Sequence, residues 1–363
     1  MIKYLGSKRR LLDRLVAIIA ELEGARSVVD LFSGTSRVGH ALKGAGLRVL
    51  ANDHNAYAHT LATCYVAADR EAIERDATRL IAELQAVPPA PGYFTQTFCE
   101  EARFFQPRNG AKVDAIREVI AAKALPPELE AVLLVSLMEA ADRVDSTTGV
   151  QMAYLKSWAP RAHRPLELRL PDVLPRARHG KGEAHRLEAS DAAARLRADV
   201  VYVDPPYNQH SYLGNYHIWE TLVRWDKPEA YGRARKRVDC RARQSPFNSK
   251  RRCRQAFAEL FAAIDAPNLV VSFSNEGFLA RDELVALLAP WGEVEVIEVD
   301  YRRYVGAQIG IYNPQGAKVG EVSHVRNKEL IFVAGRGGPE AARRACAALV
   351  DPADAAQRGD SAR

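Results

Sequence analysis

Ser27-Val-Val-Asp-Leu-Phe-Ser-Gly34-Thr-Ser-Arg-Val-Gly39, followed by Leu47-Arg-Val-Leu-Ala-Asn-Asp53, is the stretch that decides the fold. Ser27–Phe32 is short, apolar and rich in β-branched residues, the pattern of a buried strand. It runs into Ser33-Gly34, and the spacing predicts a helix from about Ser36 to Lys43, closed by Gly44 and Gly46. Leu47–Asp53 reads as a second strand. Strand, turn, helix and strand in that order open a right-handed parallel sheet.

Outward from this unit, Leu11–Leu22 has apolar residues at helical spacing, and Ala56–Ala67 and Ala72–Ala86 are further helical stretches. Pro88-Pro-Ala-Pro-Gly92 then breaks the chain. Residues 93–186 lack strand–helix alternation. They hold two helices, near Ala111–Ala124 and Pro127–Val144, and a loop-rich stretch with Pro160, Pro165, Pro171 and Pro175. Leu133, Leu134 and Leu137 share a face of the second helix and suit a core. The alternation returns with strands expected at His185–Ser190, Asp199–Asp204, Asn268–Ser274, Glu293–Val299 and Lys328–Ala334. The expected organisation is an α/β catalytic domain built from residues 1–87 and 185–335, an inserted helical and loop region at 88–184, and a disordered tail at 336–363, rich in Ala, Gly and charge.

The composition suits an enzyme with a sizeable core: 363 residues, 47% hydrophobic and 26% charged. A net charge of +6 favours polyanionic partners. The five cysteines form no C-x-x-C pair and no His cluster accompanies them, so free thiols in a reducing compartment and no metal site are expected. No apolar signal region opens the chain and no apolar run reaches spanning length, so a cytoplasmic protein without membrane contact is expected.

Asp204-Pro205-Pro206-Tyr207 carries the chemistry. It closes an apolar strand, and open α/β sheets bind ligands outside the carboxyl ends of their strands. An aromatic amine is a poor nucleophile because its lone pair is delocalised into the ring. The Asp204 carboxylate and the Pro205 carbonyl can accept its two hydrogens and aim the lone pair, and two prolines hold that carbonyl rigidly. Tyr207 can stack on an extruded base. The cofactor turn is Asp30-Leu-Phe32-Ser-Gly34-Thr35-Ser36. Gly34 permits close approach of a ligand, Gly39 permits close helix–strand packing, and Asp53 ends the second strand where a carboxylate can bind ribose hydroxyls. G-x-G-x-x-G is absent, so a nucleoside without phosphates, such as S-adenosyl-L-methionine, fits better than a dinucleotide.

Lys3-Tyr-Leu-Gly-Ser-Lys8, Asp30-Leu-Phe-Ser-Gly34 and Asp204-Pro-Pro-Tyr207 together resemble the Dam-like adenine-N6 DNA methyltransferases, in motif order and over roughly Met1 to Gly335. The resemblance implies a Rossmann-like class I methyltransferase fold with a mostly parallel seven-stranded sheet, and an insertion that recognises the target. It implies S-adenosyl-L-methionine as cofactor, DNA as partner, and methylation of the exocyclic N6 of a flipped adenine, with a restriction–modification setting and a cognate restriction endonuclease as a further partner. It assigns Asp204, Pro205, Pro206 and Tyr207 to catalysis. It places Lys8 near the methionine moiety, Phe32 and Gly34 along the cofactor cleft, Asp53 on the ribose and Asp191 on the cofactor adenine, with Tyr4, Asp30 and Thr35 in the same cofactor set. The family writes F-x-G-x-G where this chain has Ser36 at the second glycine.

Asn208–Trp219, polar and aromatic, resembles the methylases of type IIS restriction systems in this respect. Trp219 and Leu222 read as helix packing, while Asn208 and Tyr212 stay open between packing and closure over a base. From Arg233 to Arg254 ten Lys or Arg residues face one acid, Asp239. Arg233, Arg235, Lys236, Arg237, Arg241, Arg243, Lys250 and Arg251 are the candidates for DNA contact. Gln106, Asn109 and Gln151 are of types that read adenine. Alternatives are another planar amine (RNA adenine, DNA cytosine or a protein glutamine), or a catalytically silent DNA-binding subunit.

Overall fold

The computed structural model describes residues 1–209, 211–302, 311–312, 318–320 and 326–348. Its main sheet has seven strands: β1 (Ser27–Asp30), β2 (Arg48–Asn52), β3 (Glu183–His185), β4 (Val200–Val203), β5 (Asn268–Ser274), β6 (Val294–Arg302) and β7 (Arg326–Gly335). They lie side by side in the order β3-β2-β1-β4-β5-β7-β6. The first five run parallel, and β7 runs antiparallel to both β5 and β6. The order reverses between β1 and β4, the kind of crevice where α/β sheets place ligands.

Alternation along each strand feeds the two faces of the sheet. Val29, Val201, Val203, Val271 and Phe332 pack on one face with Phe257 and Phe261 of the helix Cys253–Ala263. Val28, Val49, Val200, Val270 and Ile331 pack on the other with Leu15, Ile18 and Ile19 of the helix Leu12–Glu21. At the amino-terminal edge Asp199 accepts hydrogen bonds from the Arg26 and Ser27 amides, each 2.9 Å, which sets β1 against β4. At the carboxyl edge the strands are tied beyond their ladders: Leu31 N–H donates to the Tyr202 carbonyl, Ser33 to Asn52 and Asp53 to His185.

Two expectations change. The strand expected at His185–Ser190 is Glu183–His185, and a helix runs from Ala189 to Arg195. The ladder stops because the Asn52 side chain captures the Leu187 amide and carbonyl at the β2 tip, and Ala189-Ser-Asp-Ala-Ala-Ala favours helix. The expected disordered tail begins with a helix, Gly338–Ala348, whose Ala341, Ala342 and Ala345 are buried against the sheet face that carries Ile331 and Val333, beside Leu15 of the helix Leu12–Glu21. Small alanines let it approach closely. Residues 349–363 lie outside the described residues. The helices Pro107–Ala122 and Pro127–Arg143 do not enclose a private core. Leu133, Leu134 and Leu137 are buried in one cluster with Tyr57, Leu61, Tyr65, Trp219 and Leu222.

No helix among the described residues is long and apolar enough to cross a membrane.

Candidate active site

Because β1 to β4 are parallel, their carboxyl-terminal turns meet on one edge. The Asp30–Thr35 turn, Asp53-His-Asn55, Leu187–Ser190 and the Asp204–Pro206 region line one cleft of about 1400 Å³, counted out to its open mouth. The N-terminal segment, with Tyr4, Gly6 and Lys8, lines the same cleft.

Asp204 follows directly on β4. Lys8 Nζ lies 3.0 Å from Asp204 Oδ1 and 3.1 Å from Glu329 Oε2 of β7. Lys8 is only 6% exposed. Burial pushes the Asp204 carboxyl up to about 6, with Lys8 pulling against it and the Glu329 charge adding to it. Burial opposes the Lys8 charge, but Asp204 and Glu329 outweigh it and hold the ammonium well above its ordinary range. Pro205 is buried and Pro206 lines the cleft. Tyr207 packs at a tilt on Phe273, centroids 5.4 Å apart, and its ring centre is 5.6 Å from Lys8 Nζ. Tyr212 stacks on Tyr4 at 5.1 Å and Tyr216 stacks on Tyr4 at 4.5 Å. Gly6 has φ +74°, and a Cβ there would stand 3.0 Å from the Tyr212 hydroxyl, so only glycine lets the N-terminal segment lie this close.

At the turn from Asp30 to Ser36, Gly34 has φ +54° and its amide donates to Asp53 Oδ2 at 3.1 Å. Gly39 packs so tightly that a Cβ would meet Val66 Cγ2 at 2.9 Å and Asp30 Oδ2 at 3.2 Å. Ser36 keeps a glycine-like φ of 58° and is fully buried, with its hydroxyl 3.0 Å from that of Ser33. The left-handed turn thus persists without the second glycine, at a backbone cost of about 1–2 kcal/mol. Both Asp30 carboxylate oxygens are buried without a hydrogen-bond partner among the described residues. Burial pushes that carboxyl up to about 7, against the pull of Ser33 and the Gly39 backbone. Thr35 lines the cleft, and Phe32 meets Phe247 edge-on at 5.4 Å. Asp191 is exposed and lies outside the cleft lining, and the acid at that wall is Glu188. The offset follows from the helix starting at Ala189, which turns Asp191 outward.

The family model described as D12 class N6 adenine-specific DNA methyltransferase matches residues 4–262. The chain belongs to that family. It is 27% identical over 337 residues to the type II methyltransferase M.NlaIII of Neisseria lactamica, covering 90% of this chain and 99% of that protein. It is 29% identical over 331 residues to the type II methyltransferase M.FokI of Planomicrobium okeanokoites, covering 83% of this chain and 49% of that protein. It is 28% identical over 326 residues to the modification methylase LlaI of Lactococcus lactis subsp. lactis, covering 83% and 51%. The chain thus spans nearly all of the first relative and about half of the other two. It is an adenine-specific DNA methyltransferase.

In this methyltransferase the basic segment is less uniform than its composition. Arg237 is 2% exposed and forks onto Asp226 with two bonds of 2.7 Å, and its Nε donates to Asp239 at 3.0 Å. It is a buried structural pair and cannot face a phosphate, which corrects its place in the DNA-contact set. Arg235 pairs with Glu101. Arg243 lines the cleft, where it reaches Glu220 at 3.3 Å and donates to the His54 carbonyl at 3.2 Å. Ser245-Pro-Phe247-Asn248 closes the same wall, and Asn248 Nδ2 donates to the Asn208 carbonyl at 2.6 Å. Arg241 lies over the Tyr231 ring at 3.9 Å. Arg233, Arg241, Lys250 and Arg251 are exposed, and Lys236 is half-buried. In the insertion, Asn109 is buried on the carbonyls of Ala162 and Arg164, and Gln151 is buried accepting the Ile218 amide, so neither is presented to a base edge. Trp219 and Leu222 are core residues.

Sequence reasoning missed Glu329 and the Phe247 wall. A signal existed for Glu329: it is the one acid in Lys328-Glu-Leu-Ile-Phe-Val-Ala334, and a charge in an apolar strand needs a partner.

Proposed function

We propose that this chain uses S-adenosyl-L-methionine to methylate N6 of an adenine turned out of the DNA duplex. The observation that carries the reading is that Asp204, at the tip of β4, opens on the same cleft as Asp30, Gly34 and Asp53. The residues present fit that cofactor. An orphaned buried carboxylate, Asp30, calls for a cationic donor such as an α-ammonium. Asp53 suits ribose hydroxyls, Phe32 and Phe247 offer aromatic walls, and no phosphate-binding glycine series is present.

When bound, the cofactor would supply a methyl group on a sulfonium whose sulfur ends as a neutral thioether. Tyr4, Lys8, Asp30, Phe32, Gly34, Thr35 and Asp53 would hold it. The Asp204 carboxylate and the Pro205 carbonyl accept the two amino hydrogens of the adenine. They turn its lone pair toward the cleft and stabilise the positive charge that develops on nitrogen. That nitrogen then gives up one proton to water at the open mouth of the cleft. Tyr212 on the cleft wall, and Tyr207 once turned off Phe273, would stack on an extruded base. Arg233, Arg241, Lys250 and Arg251 contact phosphates. The relatives are type II methyltransferases, which supports a cognate endonuclease as a functional partner.

The test is methylation of plasmid DNA with methyl-labelled cofactor, followed by nucleoside analysis and site mapping. N6-methyladenine is expected. Label in methylcytosine, or no label in DNA or RNA, defeats the reading.

A further inference from the structure

We propose that Glu329 is a positioning residue for methyl transfer, holding the Lys8 ammonium between two carboxylates so that Asp204 keeps its strength as an acceptor for the substrate amine. This rests on the reading above.

Glu329 sits on β7, opposite Ser274 of β5, and is followed by the buried run Leu330-Ile-Phe-Val-Ala334. Its side chain is buried and reaches Lys8 Nζ at 3.1 Å across 321 residues of chain. Burying a carboxylate costs several kcal/mol, so neutrality alone does not account for it. Asp204 by itself, 3.0 Å from the ammonium, already balances Lys8. The second acid leaves the cluster with one net negative charge.

The chemistry gives that excess a use. A lone Lys8–Asp204 pair would draw the ammonium fully onto the carboxylate and weaken it as a hydrogen-bond acceptor. Glu329 shares the ammonium, and its charge also favours a cleft that must hold a sulfonium and a nitrogen gaining positive charge. The other groups facing Lys8 or Asp204 are phenols and one acid: Tyr202 below on β4, Tyr207 and Tyr212 on the loop beyond, and Asp30 on β1. The phenols are neutral at working pH and burial draws Asp30 toward neutrality, so Lys8 and Glu329 set the field at Asp204.

The sign of the pH effect follows. Asp204 is a strong acceptor when ionised and a weak one when protonated, so kcat falls as pH drops through its pKa, raised to about 6 by burial with the Glu329 charge adding to the rise. Removing the Glu329 charge makes Asp204 more acidic and a weaker acceptor. In Glu329→Gln the acid limb of kcat moves to lower pH and the plateau falls about tenfold. KM for DNA and affinity for S-adenosylhomocysteine stay within about twofold. Glu329→Asp, which keeps the charge, keeps the limb near its original pH.

A readout free of catalysis is carboxyl carbon NMR of the cofactor-free protein, with the Asp204 signal assigned through Asp204→Asn. The Asp204 midpoint is expected to fall in Glu329→Gln and to hold in Glu329→Asp. An unchanged midpoint and limb in Glu329→Gln overturns the proposal. So does an equal loss of activity in both variants with a lowered Tm and no shift in the midpoint, since that marks a purely structural acid. If wild-type protein labels neither DNA nor RNA, the methyltransferase reading fails, while the midpoints still decide whether Glu329 tunes Asp204.

Discussion

The cleft and the basic segment each set a buried cation between two carboxylates, yet Asp204 responds in the opposite direction from Asp226 and Asp239. In the cleft, Lys8 stands between Asp204 and Glu329, and Asp204 is pushed up to about 6. Beneath the basic segment, Arg237 stands between Asp226 and Asp239. There burial works against ionisation, but hydrogen bonds and charge from Arg237 and Arg224 hold both acids below the usual range. The difference lies in the cations. Arg224 adds a second guanidinium, 2.9 Å from Asp226 and 3.0 Å from Asp239, so that cluster is neutral and its oxygens are occupied by forked donors. The cleft cluster has one ammonium for two acids, so it stays one positive charge short. A saturated cluster locks structure, whereas an undersaturated one retains acceptor capacity for a ligand.

Each side of the comparison can be broken separately. Asp204→Ala has the largest expected effect: transfer into DNA falls by on the order of 10²–10³-fold or more, while calorimetric affinity for S-adenosylhomocysteine changes only a few-fold. Near-normal turnover in that variant would remove Asp204 from the chemistry. Arg237→Ala comes next. It leaves two partly buried carboxylates with Arg224 as their one remaining guanidinium in the cluster, and urea unfolding should show a loss of about 3 kcal/mol. Unchanged stability would mean that the forked cluster is no lock. The smallest effect belongs to the exposed end of the same segment. Lys250→Ala with Arg251→Ala should weaken DNA binding about equally across sequences and reduce the slope of affinity against salt by about 2. A loss confined to one sequence would make these residues base readers instead.

The contrast also shows what composition hides. Ten basic residues between Arg233 and Arg254 suggest a single phosphate-binding surface, yet they divide into a buried lock at Arg237, a cleft wall at Arg243 and an exposed face at Arg233, Lys250 and Arg251. Which acid each meets depends on chain brought in from elsewhere: Asp226 from the preceding turn, Glu220 from the helix His217–Arg224, and Glu101 from the insertion.

Much of the scaffold was legible because its signals are local. Apolar runs such as Val200–Val203 and Asn268–Ser274 are strands wherever they are buried, and the turn at Ser33-Gly34 with Asp53 on the next strand follows from chain geometry within one βαβ unit. The position of Asp204-Pro-Pro-Tyr207 at a strand tip followed in the same way. Asp191 was misjudged because one helical start at Ala189 rotates the acid outward, and boundaries are set by competition at the tip, here by Asn52, rather than by the residues themselves.

The amino-acid sequence by itself determined the parallel sheet, the Ser33-Gly34 turn and the acidic-proline motif, because each depends on neighbours within one or two elements. Only the tertiary structure decided that Lys8 and Glu329 meet at Asp204, that Phe247 folds back over the cleft and that Arg237 is buried. Those contacts join segments tens to hundreds of residues apart, and charge placement in a low-dielectric cleft depends on spatial neighbours rather than on order along the chain.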